Sequence, residues 1–307
     1  MSLLVDVATG GVRGGTSILY AALGETISER AGVINLGMEG SMLTGALAAY
    51  AVTAETGSPW TGLVAGAAAG GLLALVHAVL VLSRGANQLA NGLVVLFLGL
   101  GLTSLFGGAY VGQSINAFQP VAIPLLSDIP VIGPVFFDHD PLTYVSYLLA
   151  PAVWLLLFHS RWGLLVRGAG ERPEVLKAYG HSPLAVRYLA VVAGGMLAGV
   201  GGAQLSTAYA NAWFEGMTAG RGFIAVALVI FAAWHPLRAV GGAYLFGACL
   251  ALSPALQARG YAFNQFALDA IPYVVTIAAL VVLGRRRAHA APEALNRVFD
   301  LTPTRTI

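Results

Sequence analysis

Five polar side chains that could do chemistry crowd one stretch of an otherwise oily chain: Glu25, Glu29, Arg30, Asn35 and Glu39. From Glu29 to Gly40 the sequence reads ERAGVINLGMEG, lying between two hydrophobic segments of membrane-spanning character. Gly32, Gly37 and Gly40 loosen the backbone, while the carboxylates and the amide can satisfy polar groups where water is scarce. Two readings stand side by side: an interrupted transmembrane helix lining a transport path, or a short cytoplasmic turn between two spans. Glu25 and Glu29 are one helical turn apart and close to Arg30, so an ion pair competes with substrate contact.

A second break follows at 211–223, NAWFEGMTAGRGF, and echoes the first. Glu39 with Gly40 and Glu215 with Gly216 each open onto an apolar helix rich in Ala and Leu, and paired breaks of this kind point to a path at a repeat interface. Trp213 and Phe214 can stack on a ring or sit in an interfacial aromatic belt. Asn87, Gln88 and Asn91 gather at the start of the fourth span, where capping and interhelix hydrogen bonds compete with a role in the path. Asp269 opens the last span, where a helix N-terminus favours an anion. The candidate path residues are Glu25, Asn35, Glu39, Asn91, Trp213, Phe214 and Glu215.

Catalytic chemistry is not written here. The chain lacks G-x-x-x-x-G-K-[ST], so it cannot cradle ATP by itself, and it has no G-x-S-x-G, H-E-x-x-H or paired intramembrane Asp. The single Cys249 excludes a disulfide framework and reads as a packed small hydrophobe. The run Asp138-His139-Asp140 reads as a solvated turn rather than a metal site. No metal and no cofactor is expected on this chain.

The elements that must position these residues are membrane helices. Of 307 residues, 57% are hydrophobic and only 10% charged, and mean hydropathy is +0.77, which leaves too little polar surface for a soluble globule. The 39 glycines let helices pack closely in lipid. At about 20 apolar residues per crossing, spans fall near 12–28, 40–57, 60–82, 90–110, 142–160, 186–209, 220–235, 239–256 and 269–284. The first, seventh and eighth are short or polar enough to be half-helices or broken elements. The start, MSLLVDVATGG, has an early Asp6 and no basic region before an apolar core, so no cleavable signal peptide is expected.

Positive charge sets the sides. The segment 161–187 carries Arg161, Arg167, Arg172, Lys177 and Arg187, and the tail carries Arg285, Arg286, Arg287, Arg297 and Arg305. Both face the cytoplasm, whereas the loop 111–141 has acidic residues but no Lys or Arg, and faces out as a Pro-broken lid. The N-terminus lies outside if the first two spans are full crossings. The net charge of +2 does not imply nucleic-acid binding.

Within 161–187, GERPEVLKAYGHSP reads as helix, stop, helix. Pro173 suits a first helical turn, and Glu171 and Glu174 favour its positive end. Lys177 suits the C-terminal end, Gly180 ends the helix in the left-handed conformation, and Ser182 with Pro183 starts the next span. Such a helix is too short to stand alone in water. Val175, Leu176 and Tyr179 therefore need a partner surface, with an interfacial helix on lipid headgroups as the alternative.

ERAGVINLGMEG, NQLANGLVVLFLGLGLTSLF from Asn87, and GERPEVLKAYGHSP with the following VRYLAVVAGGMLAGVGGAQLS resemble permease subunits of ABC importers. The branch includes ribose, branched-chain amino acid and nucleoside permeases. The first motif is most similar to the smaller permease of purine nucleoside or guanosine importers, often described as simple-sugar permeases. The resemblance covers nearly the whole chain and implies one all-α, polytopic transmembrane permease domain over 1–307 in the cell (inner) membrane. It implies a larger homologous permease as partner, ATP-binding subunits that hold ATP and Mg, and an extracellular or periplasmic substrate-binding protein. The family's coupling helix falls on Glu171, Pro173, Glu174, Val175, Leu176, Lys177, Tyr179 and Gly180. The resemblance favours nucleoside cargo, with a pentose or hexose second. From the residues alone, an ATP-independent channel or facilitator and a purely structural scaffold stay open.

Overall fold

The computed structural model describes residues 2–261 and, beyond them, 264, 268, 270–272, 274, 275, 277, 278 and 291–295. Asp269, most of the expected ninth span at 269–284 and the arginine-rich tail lie outside the described residues. Eleven helices are seen among those described: α1 (Leu3–Arg30), α2 (Met38–Thr56), α3 (Pro59–Ala78), α4 (Gln88–Gly107), α5 (Ile132–Phe136), α6 (Pro141–His159), α7 (Arg161–Glu171), α8 (Pro173–Ala178), α9 (Pro183–Gln204), α10 (Arg221–Phe231) and α11 (Pro236–Gln257). α3 and α9 each end in a five-residue π turn, Val79–Ser83 and Leu205–Tyr209.

Local chemistry sets most of the starts. The side chains of Ser2, Asn87, Asp140, Ser160 and Ser182 accept a backbone N–H in the first turns of α1, α4, α6, α7 and α9. Pro141, Pro173, Pro183 and Pro236 occupy early helical positions, where a missing N–H costs nothing. Five of the expected spans, the third to sixth and the eighth, are helices long and apolar enough to cross a membrane. α1 is longer than expected, 28 residues or about 42 Å, and its polar groups keep it among protein rather than lipid. It forms the centre of the bundle, packed by α9, α10 and α11, while α2 and α3 lie against the other side of α9.

Glycine permits this packing. A methyl group at Gly24, Gly45 or Gly70 would collide with the α9 backbone at Gly194, Gly199 and Gly195 respectively. Three helices thus approach α9 backbone to backbone.

The N-terminal end of α1 sits with the loop 111–141, since Thr9 Oγ1 donates to the Pro134 carbonyl at 3.3 Å. Its C-terminal end sits with the basic segment, since Arg187 Nε donates to the Ala31 carbonyl at 3.0 Å. The N-terminal end of α1 thus shares a side with the loop 111–141, opposite the basic segment 161–187. The outer loop is not a simple lid. It carries α5 and a small antiparallel ladder, β1 (Val121–Ala122) with β2 (Asp138–His139), pairing Val121 with His139 and Ala122 with Asp138. The expected solvated turn at 138–140 is corrected accordingly. His139 is fully buried, donating Nε2–H to the Val135 carbonyl at 2.7 Å, and burial holds its imidazole below the usual range. Asp140 is buried as the cap of α6.

Candidate functional site

The first break, residues 31–37, leaves the end of α1 and climbs back into the bundle between α3 and α4 to reach α2. Gly32 takes a φ of +87°, which turns the chain. Backbone groups in non-helical membrane segments must find partners, and here side chains supply them. Glu25 Oε1 accepts from Asn35 N at 2.8 Å, and Asn35 Oδ1 accepts from Gly37 N at 2.9 Å. Ser28 Oγ donates to the Val33 carbonyl at 2.8 Å. Gln88 Oε1 accepts from Ile34 N at 2.9 Å, while His77 Nε2 meets the Ile34 carbonyl at 3.0 Å. Asn91 Nδ2 donates to His77 Nδ1 at 2.9 Å, leaving Nε2 of that tautomer as the donor to Ile34. Glu25, Asn35 and Asn91 are thus brought together as the braces of the break. The expected ion pair of Glu25 and Glu29 with Arg30 is not formed. Glu29 is buried and accepts from Trp234 Nε1, and Arg30 Nε donates to the Trp234 carbonyl at 3.1 Å. Buried polar groups of this kind are costly unless satisfied, and the Trp234 indole and carbonyl serve Glu29 and Arg30 in turn.

The second break begins at Tyr209 and reaches α10 through positive-φ residues Asn211, Gly216, Ala219 and Gly220. α10 has only 11 residues, about 16 Å, half the hydrocarbon thickness. Its end approaches α1 at the cytoplasmic side through Trp234, so its N-terminus lies at mid-depth. Glu39, in the first turn of α2 where the first break ends, caps it: Oε1 accepts from Gly220 N at 2.8 Å and Oε2 from Gly222 N. A carboxylate on unpaired N–H groups at the positive end of a helix dipole is favourable. The two breaks therefore touch through Glu39. Glu215, expected as its counterpart, is exposed instead, and so is Phe214. Trp213 is buried under Gly107 within the cluster of Leu43, Tyr50 and Leu205, so it packs rather than forming an aromatic belt.

On the cytoplasmic side, α8 forms where the sequence places it. Gly180 has a φ of +80°, and Ser182 Oγ accepts from Ala185 N at 3.3 Å. One expectation is corrected: Leu176 is 8% exposed and folds against Gly168 of α7, so it already has its partner within the chain. Val175 at 45% and Tyr179 at 80% remain exposed beside a largely apolar groove of about 580 Å³ that Leu164 also lines. α7 itself was not expected. Its signals were present, an N-cap at Ser160 and buried Gly163, Val166, Ala169 and Gly170 at helical spacing.

Arg187 was also missed, because in the sequence it is one more charge of a basic loop. From the first turns of α9 it donates Nε to Ala31 and Nη2 to the Ala169 carbonyl at 2.8 Å. It thereby joins α7, α9 and the start of the first break. Gly170 packs directly on the Arg30 carbonyl beside it.

This arrangement of broken intramembrane helices around a helix exposed on the cytoplasmic face can be compared with known proteins. The family described as branched-chain amino acid transport system / permease component matches residues 8–283. The chain belongs to that permease family. A putative glucose ABC transporter permease of Haloferax volcanii is 42% identical over 325 aligned positions, covering 98% of this chain and 99% of the relative. A guanosine ABC transporter permease of Bacillus subtilis is 34% identical, covering 89% and 91%. A nucleoside ABC transporter permease of Lactococcus lactis is 33% identical, covering 90% and 92%. No solved structure matches. The chain is thus a multi-pass membrane permease subunit of an ABC transporter, a kind of subunit that works with ATP-binding and substrate-binding partners and is not itself the ATPase. Among the described residues no group of His, Cys, Asp and Glu could hold a metal ion.

Proposed function

We propose that this permease forms half of the translocation path of an ATP-driven importer of nucleosides, pairing with a larger homologous permease. The carrying observation is the junction of the two breaks at Glu39, which places non-helical backbone and a half-helix at membrane depth. Lipid-exposed irregular backbone is not tolerated there, so exposed residues such as Phe214 and Glu215 need a cavity or a second subunit beside them. Val175 and Tyr179 on α8 supply the contact to the ATP-binding subunit, with Glu171, Pro173, Glu174, Lys177 and Gly180 setting the helix that presents them. ATP and Mg belong to that partner, and this chain binds no cofactor.

Nucleoside cargo is supported by two separately named relatives, for guanosine in Bacillus subtilis and for nucleosides in Lactococcus lactis. A sugar importer is the second reading, favoured by the 42% identity to the putative glucose permease. The test is uptake of radiolabelled guanosine, ribose and glucose by cells with and without this chain, with normal and depleted ATP. ATP-dependent guanosine uptake that disappears with the chain supports the proposal. Loss of sugar uptake alone moves the assignment to the second reading, and uptake that survives ATP depletion indicates a facilitator.

A further inference from the structure

An outward-opening cavity of about 920 Å³ lies between α1, the C-terminal end of α11 and the outer loop. Its walls carry Asp6, Arg13, Asp138, Tyr209 and Arg259. Asp6 and Arg259 pair at 2.7 Å. Arg13, seven residues further along α1 and so about 10 Å deeper, has no such partner. Its guanidinium donates to no described residue, its Nε is buried without a hydrogen bond, and it lies 6.0 Å from the centre of the Tyr209 ring. Arg221 stands at 6.0 Å from the same ring, anchored by Nη1 on the Met217 and Thr218 carbonyls. Gln204, fully buried, donates to the Arg13 carbonyl and leaves Oε1 unpartnered. Across the cavity, the Asp138 carboxylate has no hydrogen-bond partner among the described residues.

An arginine held within a membrane bundle and bonded to no carboxylate among the described residues is a functional group by default. The charges of the walls balance, Asp6 and Asp138 against Arg13 and Arg259, so the set calls for a ligand without net charge. A neutral ring bearing adjacent hydroxyls matches the set. A guanidinium such as Arg13 can donate to hydroxyl oxygens, a carboxylate such as Asp138 can accept from hydroxyl protons, and a Tyr ring such as Tyr209 has an apolar surface.

We infer that Arg13, Tyr209 and Asp138 form a subsite for the vicinal diol of a sugar ring, at the outer end of the path. The inference rests on the importer reading above. The diol could belong to the ribose of a nucleoside or to a free hexose. The test uses the complete importer in proteoliposomes, with its ATP-binding subunits, second permease and binding protein. Uptake rates are compared for guanosine, 2′,3′-dideoxyguanosine and glucose. A substitution in this chain leaves the binding protein's own choice between cargoes unchanged, so a change in the guanosine-to-dideoxyguanosine ratio reports the membrane subsite. Arg13→Gln should lower that ratio about tenfold, the value of a hydrogen bond to a charged group. Asp138→Asn, at the exposed end of β2, should lower it in the same direction and carries the test if the Arg13 variant does not assemble. If glucose is the cargo, its uptake falls in both variants instead. An unchanged ratio with unchanged glucose uptake, or an equal fall for guanosine and its dideoxy analogue, overturns the subsite. A wild-type complex that moves none of the three overturns the importer reading and the subsite with it.

Discussion

Glu39 does more than its neighbours because it joins two segments 181 residues apart. Its oxygens hold Gly220 and Gly222, so Glu39→Gln keeps the shape but removes the charge from the α10 N-terminus. It should destabilise the bundle by about 1–2 kcal/mol, seen as a lower Tm in detergent, and should reduce transport. Glu215→Gln, at an exposed site, should leave Tm unchanged. A Glu39 variant that loses stability at full transport rate would return the residue to a purely structural role. The special character of Glu25, Asn35, Glu39 and Asn91 was legible in the sequence from their rarity in an apolar chain. Their partners were not, because His77 for Asn91 and the Gly220 and Gly222 backbone for Glu39 come from elements that only the fold brings together. Glu215 misled the reading for the same reason: a Glu-Gly pair looks alike in both halves, and only packing separates a buried cap from an exposed loop.

At the scale of elements, α8 was readable because capping chemistry is local: Pro173, Gly180 and Ser182 act within a few residues of themselves. Which of its faces stays open was not readable, since that depends on α7. Leu176→Asp would bury a charge against Gly168 and unseat α8 from its own chain, so it is a poor probe of docking. Tyr179→Ala removes only exposed surface. It should weaken capture of the ATP-binding subunit about tenfold or more, as aromatic interface anchors do, in a pull-down at fixed detergent, while the free permease keeps its Tm. Arg187 lies one step further inward, tying the α7 backbone to the break at Ala31. In Arg187→Gln the assembled importer should still hydrolyse ATP while uptake falls about tenfold, within the usual range of coupling free energies. Equal loss of both activities would assign Arg187 to folding alone.

Across the whole molecule, the third to sixth and the eighth spans followed from hydropathy, because lipid leaves few alternatives. The central place of α1 did not, since its polar groups disguise a helix that is buried in protein from Gly14 to Glu29. Packing around α9 rests on small residues. Gly199→Leu should force α2 and α3 away from α9 and cost at least about 1–3 kcal/mol, read as a smaller monodisperse fraction on size-exclusion chromatography. The 181-residue separation between Glu39 and its partners has a consequence for synthesis. At about 5–20 residues per second, the ribosome needs roughly 10 to 40 s after making Glu39 before Gly220 exists. For that interval a carboxylate destined for mid-membrane has nothing to hold. The early helices must therefore stay loosely gathered near the insertion machinery, and the bundle can close only once its last third has been delivered.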